Sequence, residues 1–197
     1  MTRTLATKAP RRARRLRDSG GAVAIRASRR CARRSETDCE LCLSARTSIA
    51  KSYEIEGNWE AAVRMLRELS EFHPWSTVGM EAPLYIAKGY EERKQPEEAA
   101  GAYKRAVTVY TRLISESPSE ELAWRVKGYL ALAHQRLGEW DRAVAVLEEL
   151  AKGPEAIRPL ALLSLGTIYQ TKLHEPEHAE AVYHRLFEPS QPAMGAP

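Results

Sequence analysis

Long apolar runs are missing from this chain of 197 residues. None approaches the ~18 residues that a membrane-crossing helix needs. Residues 21–25 are too short for the apolar core of a secretory leader. Cysteine is scarce: Cys31, Cys39 and Cys42 are the whole supply, and none follows residue 42. Their C-x7-C-x2-C spacing offers one close pair, whereas a structural zinc site takes four ligands, usually as two pairs. They read as incidental thiols outside the core, with a metal shared between chains or a disulfide as the alternatives. A lipid anchor on Cys31 needs an apolar run ahead of it, and Arg29 and Arg30 stand there instead. Glycine-rich loops are lacking too. There is no phosphate loop, no dinucleotide fingerprint and no nucleophile elbow. The expectation is a protein that is not an enzyme and that holds no metal and no cofactor.

One string points the other way. His174-Glu175-Pro176-Glu177-His178 has the letters H-E-x-x-H, which in zinc proteases places two histidines on one face of a helix. Pro176 opposes that, because a proline inside a helix removes an amide and clashes with the preceding turn. It fits better as the first residue of a new helix, with His174 left in the turn before it.

Charge is split unevenly. Residues 1–34 carry twelve Lys/Arg and one acid, Asp18, for a net charge of +11, while residues 35–197 sum to −7. The basic balance of the chain therefore belongs to its first segment. That segment reads as a disordered tail or an upstream extension, as a targeting segment, or as an arm for nucleic acid or an anionic membrane surface. It lacks the interleaved aromatics that stack on bases.

What the chain does have is a repeated two-helix unit. In residues 43–74, Ala50 precedes Tyr53 by three and Ala62 follows it by nine. Ala87, Tyr90 and Ala99 repeat the interval, as do Ala131, His134 and Ala143. Gly166, Tyr169 and Ala179 give three and then ten, so the last turn is expected to carry one extra residue. Packed helices approach to ~8–10 Å, where the closest position tolerates little beyond a methyl group. Ala62, Ala99, Ala143 and Ala179 are placed at that approach. The large residue three positions after each first-helix small residue fills the adjacent gap.

Local signals divide the units. Asn58 is the expected cap of one helix. Residues 76–79 read as a loop, with Pro83 in the first turn of the helix that follows. Pro96 starts a helix of about six turns. Ser117-Pro118-Ser119-Glu120 fits a capping box with the proline at the first helical position. Leu160-Ala161-Leu162-Leu163 and Leu165 form an apolar run open to self-association or to cover by the last hairpin. Trp59, Trp140 and Tyr103 are expected to pack. Trp75 and Trp124 flank junctions and remain open as packing or partner-contact residues.

With Gly57 two residues before Trp59, and Gly138 two before Trp140, the chain resembles tetratricopeptide repeat (TPR) proteins over residues 43–188. Lys94 and Leu173 stand where the second and fourth units would carry the turn glycine. The uneven spacing of the units is similar to that of bacterial cell-envelope TPR proteins such as outer-membrane assembly lipoproteins. The resemblance implies an all-α fold, a right-handed α-solenoid of four helix-turn-helix hairpins. It would occupy residues 41–188, between a disordered Arg-rich tail (1–40) and a flexible end (189–197). It also implies a scaffold or adaptor whose concave groove holds a protein or peptide, lined by Lys51, Glu54, Lys88, Glu91, Arg125, Leu132, Gln135 and Thr167. The acidic C-terminus of a chaperone is not the expected ligand, because Thr47 and Lys51 stand where lysine and asparagine would be required. The compartment is cytoplasmic as the sequence stands, or the bacterial envelope if the start is misassigned.

Overall fold

The structure, a computed structural model, describes residues 40–187. The expectations for the basic N-terminal segment and for the C-terminal end fall outside these residues. Two compact units are present, one ending at Ala82 and the other beginning at Pro83. All regular structure in the described residues is helical.

The first unit holds α1 (Glu40–Ile55), α2 (Trp59–Phe72) and the start of α3 (Thr77–Glu92). Asn58 caps α2 as expected, its Oδ1 accepting the Ala61 amide at 3.2 Å. Ala50, Ala62, Leu66, Leu69 and Met80 are buried. Two expectations need correction here. Cys42 is not outside the core: α1 begins early enough to include it, it is buried, and it is disulfide-bonded. The other two cysteines lie outside the described residues. Nor do residues 76–79 form a loop. The Ser76 hydroxyl accepts the Gly79 amide at 3.0 Å and donates to the His73 carbonyl at 2.8 Å, so it caps a helix that starts at Thr77. Pro83 therefore lies inside α3, past its first turn.

The second unit continues α3 and adds α4 (Pro96–Ser115), α5 (Glu120–Leu137), α6 (Trp140–Ala151) and α7 (Arg158–Ile168). A π-turn (Tyr169–Leu173) and α8 (Pro176–His184) complete it. The cap of α5 is Ser119, whose hydroxyl accepts the Leu122 amide at 3.3 Å. Pro118 thus precedes the cap and is not the first helical residue. The reason is that the Ser117 hydroxyl turns instead to the Ser119 carbonyl, at 2.8 Å.

The four hairpins close by one device. The carbonyl of Tyr53 accepts the Asn58 amide, Tyr90 that of Gln95, and His134 that of Glu139, each across five residues. Tyr169 accepts the Glu175 amide across six, at 2.8 Å. The extra residue of the fourth unit is taken up by the π-turn, a one-residue widening of the helix. Before each closure one residue is left-handed: Gly57, Lys94, Gly138 and His174. The position expected at Leu173 is thus His174, displaced by the π-turn.

A side chain in this conformation costs ~1–2 kcal/mol, part of which glycine returns by loosening the unfolded chain. Lys94→Gly should therefore raise the melting temperature slightly, by up to about 3 °C. A fall on thermal unfolding would contradict the turn geometry.

Small residues sit where the repeat places them. Ala87, Ala99, Ala131, Ala143 and Ala179 are all buried. Of the large partners, Tyr90 and Tyr169 are half-buried and His134 is buried. The Tyr110 and Tyr129 rings stack at 5.8 Å, joining α4 to α5. Leu147, Leu150, Leu162, Leu165 and Val182 form one core between α6, α7 and α8. Arg185, just after α8, grips Glu148 of α6 with both guanidinium nitrogens at 3.0–3.2 Å.

His134, at the tyrosine position of its unit, donates from Nδ1 to Glu139 at 2.7 Å, and Arg142 reaches the same oxygen at 3.2 Å. Hydrogen bonds from His134 and then Arg142 hold the Glu139 carboxyl below its ordinary value of 4.5. A depressed carboxylate stabilises the fold above its unfolded pKa and loses that contribution as pH falls through its folded pKa. As pH falls below the ordinary carboxylate value of 4.5, the wild-type melting temperature should thus fall more steeply than that of Glu139→Gln. Parallel curves would show that the cluster adds nothing.

Candidate functional site

The distinctive surface of the second unit is a trough between α5 and α7. The two helices run side by side in the same direction, since early residues of α5 face the approach to α7 and late residues face its end. At the lower end is a cavity of about 410 Å³, lined by Leu132, Gln135, Arg136 and Trp140 on one side and by Leu163, Thr167 and Lys172 among others on the other. At the upper end a cavity of about 760 Å³ lies between Glu120, Glu121, Trp124, Arg125 and Gly128 and the loop that includes Pro154 and Ile157.

The lower cavity carries exposed leucines. Leu132 is 40% exposed and Leu163 48%, and Leu160, one turn earlier on α7, is 71% exposed. Leu160 and Leu163 are three apart and so lie on one face of α7. Their neighbours Ala161, Leu162 and Leu165 are buried under α6 and α8. The last hairpin therefore covers only part of the apolar run. Gly128 contributes no side chain, and a Cβ there would meet open space.

The two ends differ in charge. Above, Arg125 pairs with Glu121 at 3.2 Å, Trp124 Nε1 donates to Glu120 at 3.2 Å, and the Lys127 ammonium lies 4.6 Å from the Trp124 ring centre. Below, Arg136 and Lys172 line the cavity and no carboxylate does. Arg136 is 3.8 Å from Glu91, a loose pair, and Lys172 lies 5.5 Å from the centre of the Trp140 ring.

Of the residues expected in a groove, Leu132, Gln135 and Thr167 come together at the lower cavity. Arg125 lines the upper one. Lys88 pairs with Glu92 at 3.5 Å along α3. Glu91 receives a hydrogen bond from Tyr103, whose phenol pKa is pushed up to about 12 by burial first and by that carboxylate second. Lys51 and Glu54 are on α1, exposed and half-buried respectively. Arg136, Lys172 and Trp140 join the lower cavity from outside the expected groove set, and Leu163 comes from the apolar run left open to self-association or cover. Trp59 and Tyr103 are buried as expected, whereas Trp140 is only half-buried and shares the cavity wall. Trp75 and Trp124 are half-buried.

The H-E-x-x-H string does not form a metal pair on one helix. His174 is the left-handed residue of the turn, and α8 begins at Pro176. His178 stacks on Tyr169 at 5.4 Å and reaches Glu175 at 3.0 Å. Among the described residues, no helix is long and apolar enough to cross a membrane.

Comparison with known proteins agrees with this architecture. Residues 130–156, which run from the second half of α5 through α6, match the tetratricopeptide repeat family model. A crystal structure of the nearly identical TPR-like repeats of a kinesin light chain candidate from Podosopora anserina is similar to this chain. It has a TM-score of 0.50 and 21% identity, covering 89% of this chain and 90% of that one. A single-substitution variant of the same protein gives a TM-score of 0.50 at 18% identity, with 89% of each chain covered. No curated protein matches the sequence. The fold is all-α and built of TPR-like helical hairpins.

Proposed function

We propose that this protein is an interaction scaffold, and that the trough between α5 and α7 holds a segment of a protein partner. The observation that carries the reading is the exposure of Leu132 and Leu163 in one open cavity, with Leu160 exposed one turn earlier on α7, beside alanines and leucines that the same helices bury. Helices of a stacked core rarely leave large apolar side chains in a row on their open side unless something covers them. The α5 face from Glu121 to Arg136 is roughly 22 Å long at 1.5 Å per residue. That length accepts about six or seven residues of extended chain, or four turns of helix, with apolar anchors at i, i+3 and i+4. Because the hairpins are packed before the partner arrives, little ordering free energy opposes binding.

The test is substitution on the trough floor. Leu132→Glu with Leu163→Glu places charge on exposed positions and should leave the melting temperature within a few degrees. Binding of a partner segment should weaken at least about tenfold, as expected for the loss of central apolar anchors. Photo-crosslinking from position 163 should capture the same segment. Partner affinity that ignores both substitutions would reject the trough.

A further inference from the structure

We propose that the lower end of the trough is a seat for side-chain carboxylates, so that the bound segment carries aspartate or glutamate beside its apolar anchors and lies in one direction. This rests on the trough being the binding surface. Its ground is charge. The second unit belongs to a body with an excess of acids, residues 35–197 summing to −7. Yet, among the described residues, the cavity that contains Leu132 and Leu163 is lined by two cations, Arg136 and Lys172, and by no acid.

Both cations are held in ways that leave them attractive to an anion. The Arg136–Glu91 pair, at 3.8 Å and with Arg136 half exposed, is long for an ion pair and weak in water. Lys172 lies near the face of Trp140, a contact that keeps its full positive charge. It stands in the π-turn, where the additional residue of the fourth hairpin carries Thr171 and Lys172 along the cavity wall before the chain reverses at His174. The Thr167 and Thr171 hydroxyls donate to backbone carbonyls at 2.8 and 2.7 Å, and the two cations are the charged donors that line the cavity.

The upper end offers no such preference. Glu120 and Glu121 are balanced by Arg125 and Lys152, and the Glu121 and Arg125 charges already meet at 3.2 Å. A segment with an acidic end and an apolar end therefore fits one way round, its acids beside Lys172 and its apolar end toward Trp124. Side chains are the source named because the trough is open along its length and contains no closed end to receive a terminal carboxylate.

The experiment is panning of a random displayed peptide library against the full 197-residue chain, followed by anisotropy measurements on synthetic binders with free and amidated C-termini. Binders should carry Asp or Glu at a constant offset from Leu, Ile or Phe, and amidation should leave affinity unchanged. Arg136→Glu with Lys172→Glu should weaken them by more than about tenfold and enrich basic peptides in a fresh selection. Binders without acidic bias, or acidic binders indifferent to the double reversal, overturn the proposal. If such binders are still lost on Leu132→Glu/Leu163→Glu, the trough stands and only the carboxylate seat fails. Affinity that depends on amidation transfers the seat to a chain terminus and overturns it as stated. Binders unmoved by every trough substitution, or recovery of none, sink both readings.

Discussion

Ala143→Leu is expected to destabilise the protein by about 3 kcal/mol, at the upper end of what overpacking a close helix contact costs. In a chain of this size that corresponds to a fall of roughly 10 °C in melting temperature. Ala143 is 0% exposed and belongs to the core in which Ala131, Leu147, Leu162 and Leu165 pack together. Leucine adds three carbons at a position with no outlet to solvent, so α6 must move away from its neighbours. Ala62, 1% exposed in the first unit, occupies the same register and should respond alike to Ala62→Leu. Ala181→Leu is the matched control, since Ala181 is exposed on α8 and the same added volume meets water. It should stay within about 0.5 kcal/mol. Unchanged thermal transitions for both core variants would show that the small residues do not mark the helix contacts.

These positions could be found in the sequence because helix packing is a local rule repeated four times. A small residue, a large one three later and another small one nine later describe a hairpin whatever the neighbouring hairpins do. His134, the one histidine among tyrosines by spacing, is buried, and its carbonyl accepts the amide of Glu139 as the tyrosine carbonyls do in their own turns. Spacing puts the extra residue of the fourth unit in its turn, and the structure corrects this by placing it in the helix end. Counting shows that one is present, but a bulge in the helix and a longer turn give the same count. The closure from Glu175 to Tyr169 shows the bulge, and it moves the left-handed residue from Leu173 to His174. The start of α3 was missed for a related reason. Pro83 reads as a first-turn marker, whereas Ser76 caps the helix seven residues earlier.

The trough was legible only in part. Leu132, Gln135 and Thr167 follow from the face that a first helix turns outward. For Leu160 and Leu163 the sequence leaves self-association and cover by the last hairpin both open, since a continuous apolar stretch does not say which side is covered. A signal was available: α7 is apolar around more than one face, and α6 and α8 can cover only the face bearing Leu162 and Leu165. The meeting of Arg136, Trp140 and Lys172 depends on three separate elements and a π-turn, and nothing in the linear order announces it.

A single methyl group should be enough to disrupt the first unit if it is placed at Gly79. A Cβ there overlaps the carbonyl oxygen of His73, with the carbonyl carbon at 2.8 Å and the Leu69 oxygen at 3.0 Å. These are backbone atoms and cannot rotate aside. The His73 oxygen already accepts the Ser76 amide at 3.1 Å and the Ser76 hydroxyl at 2.8 Å. Relief requires the start of α3 to lift from the end of α2, breaking the cap that starts the helix. Gly79→Ala should therefore cost about 3 kcal/mol, in the range where a named packing or capping loss operates. Gly166→Ala tests the contrast. Its Cβ overlaps the Tyr183 ring, but that ring is a half-buried side chain held by a hydroxyl bond to Gln170 of only 3.4 Å. The ring can swing away, so the loss should be nearer 1 kcal/mol and should largely vanish in Gly166→Ala/Tyr183→Ala relative to Tyr183→Ala alone. Gly128→Ala, with open space around the new atom, should instead gain up to about 1 kcal/mol from helix propensity. Urea unfolding of the three alanine variants should rank them Gly128, Gly166, Gly79 from most to least stable. If Gly79→Ala unfolds with Gly128→Ala, the close passage of α3 over the end of α2 is not what holds that junction.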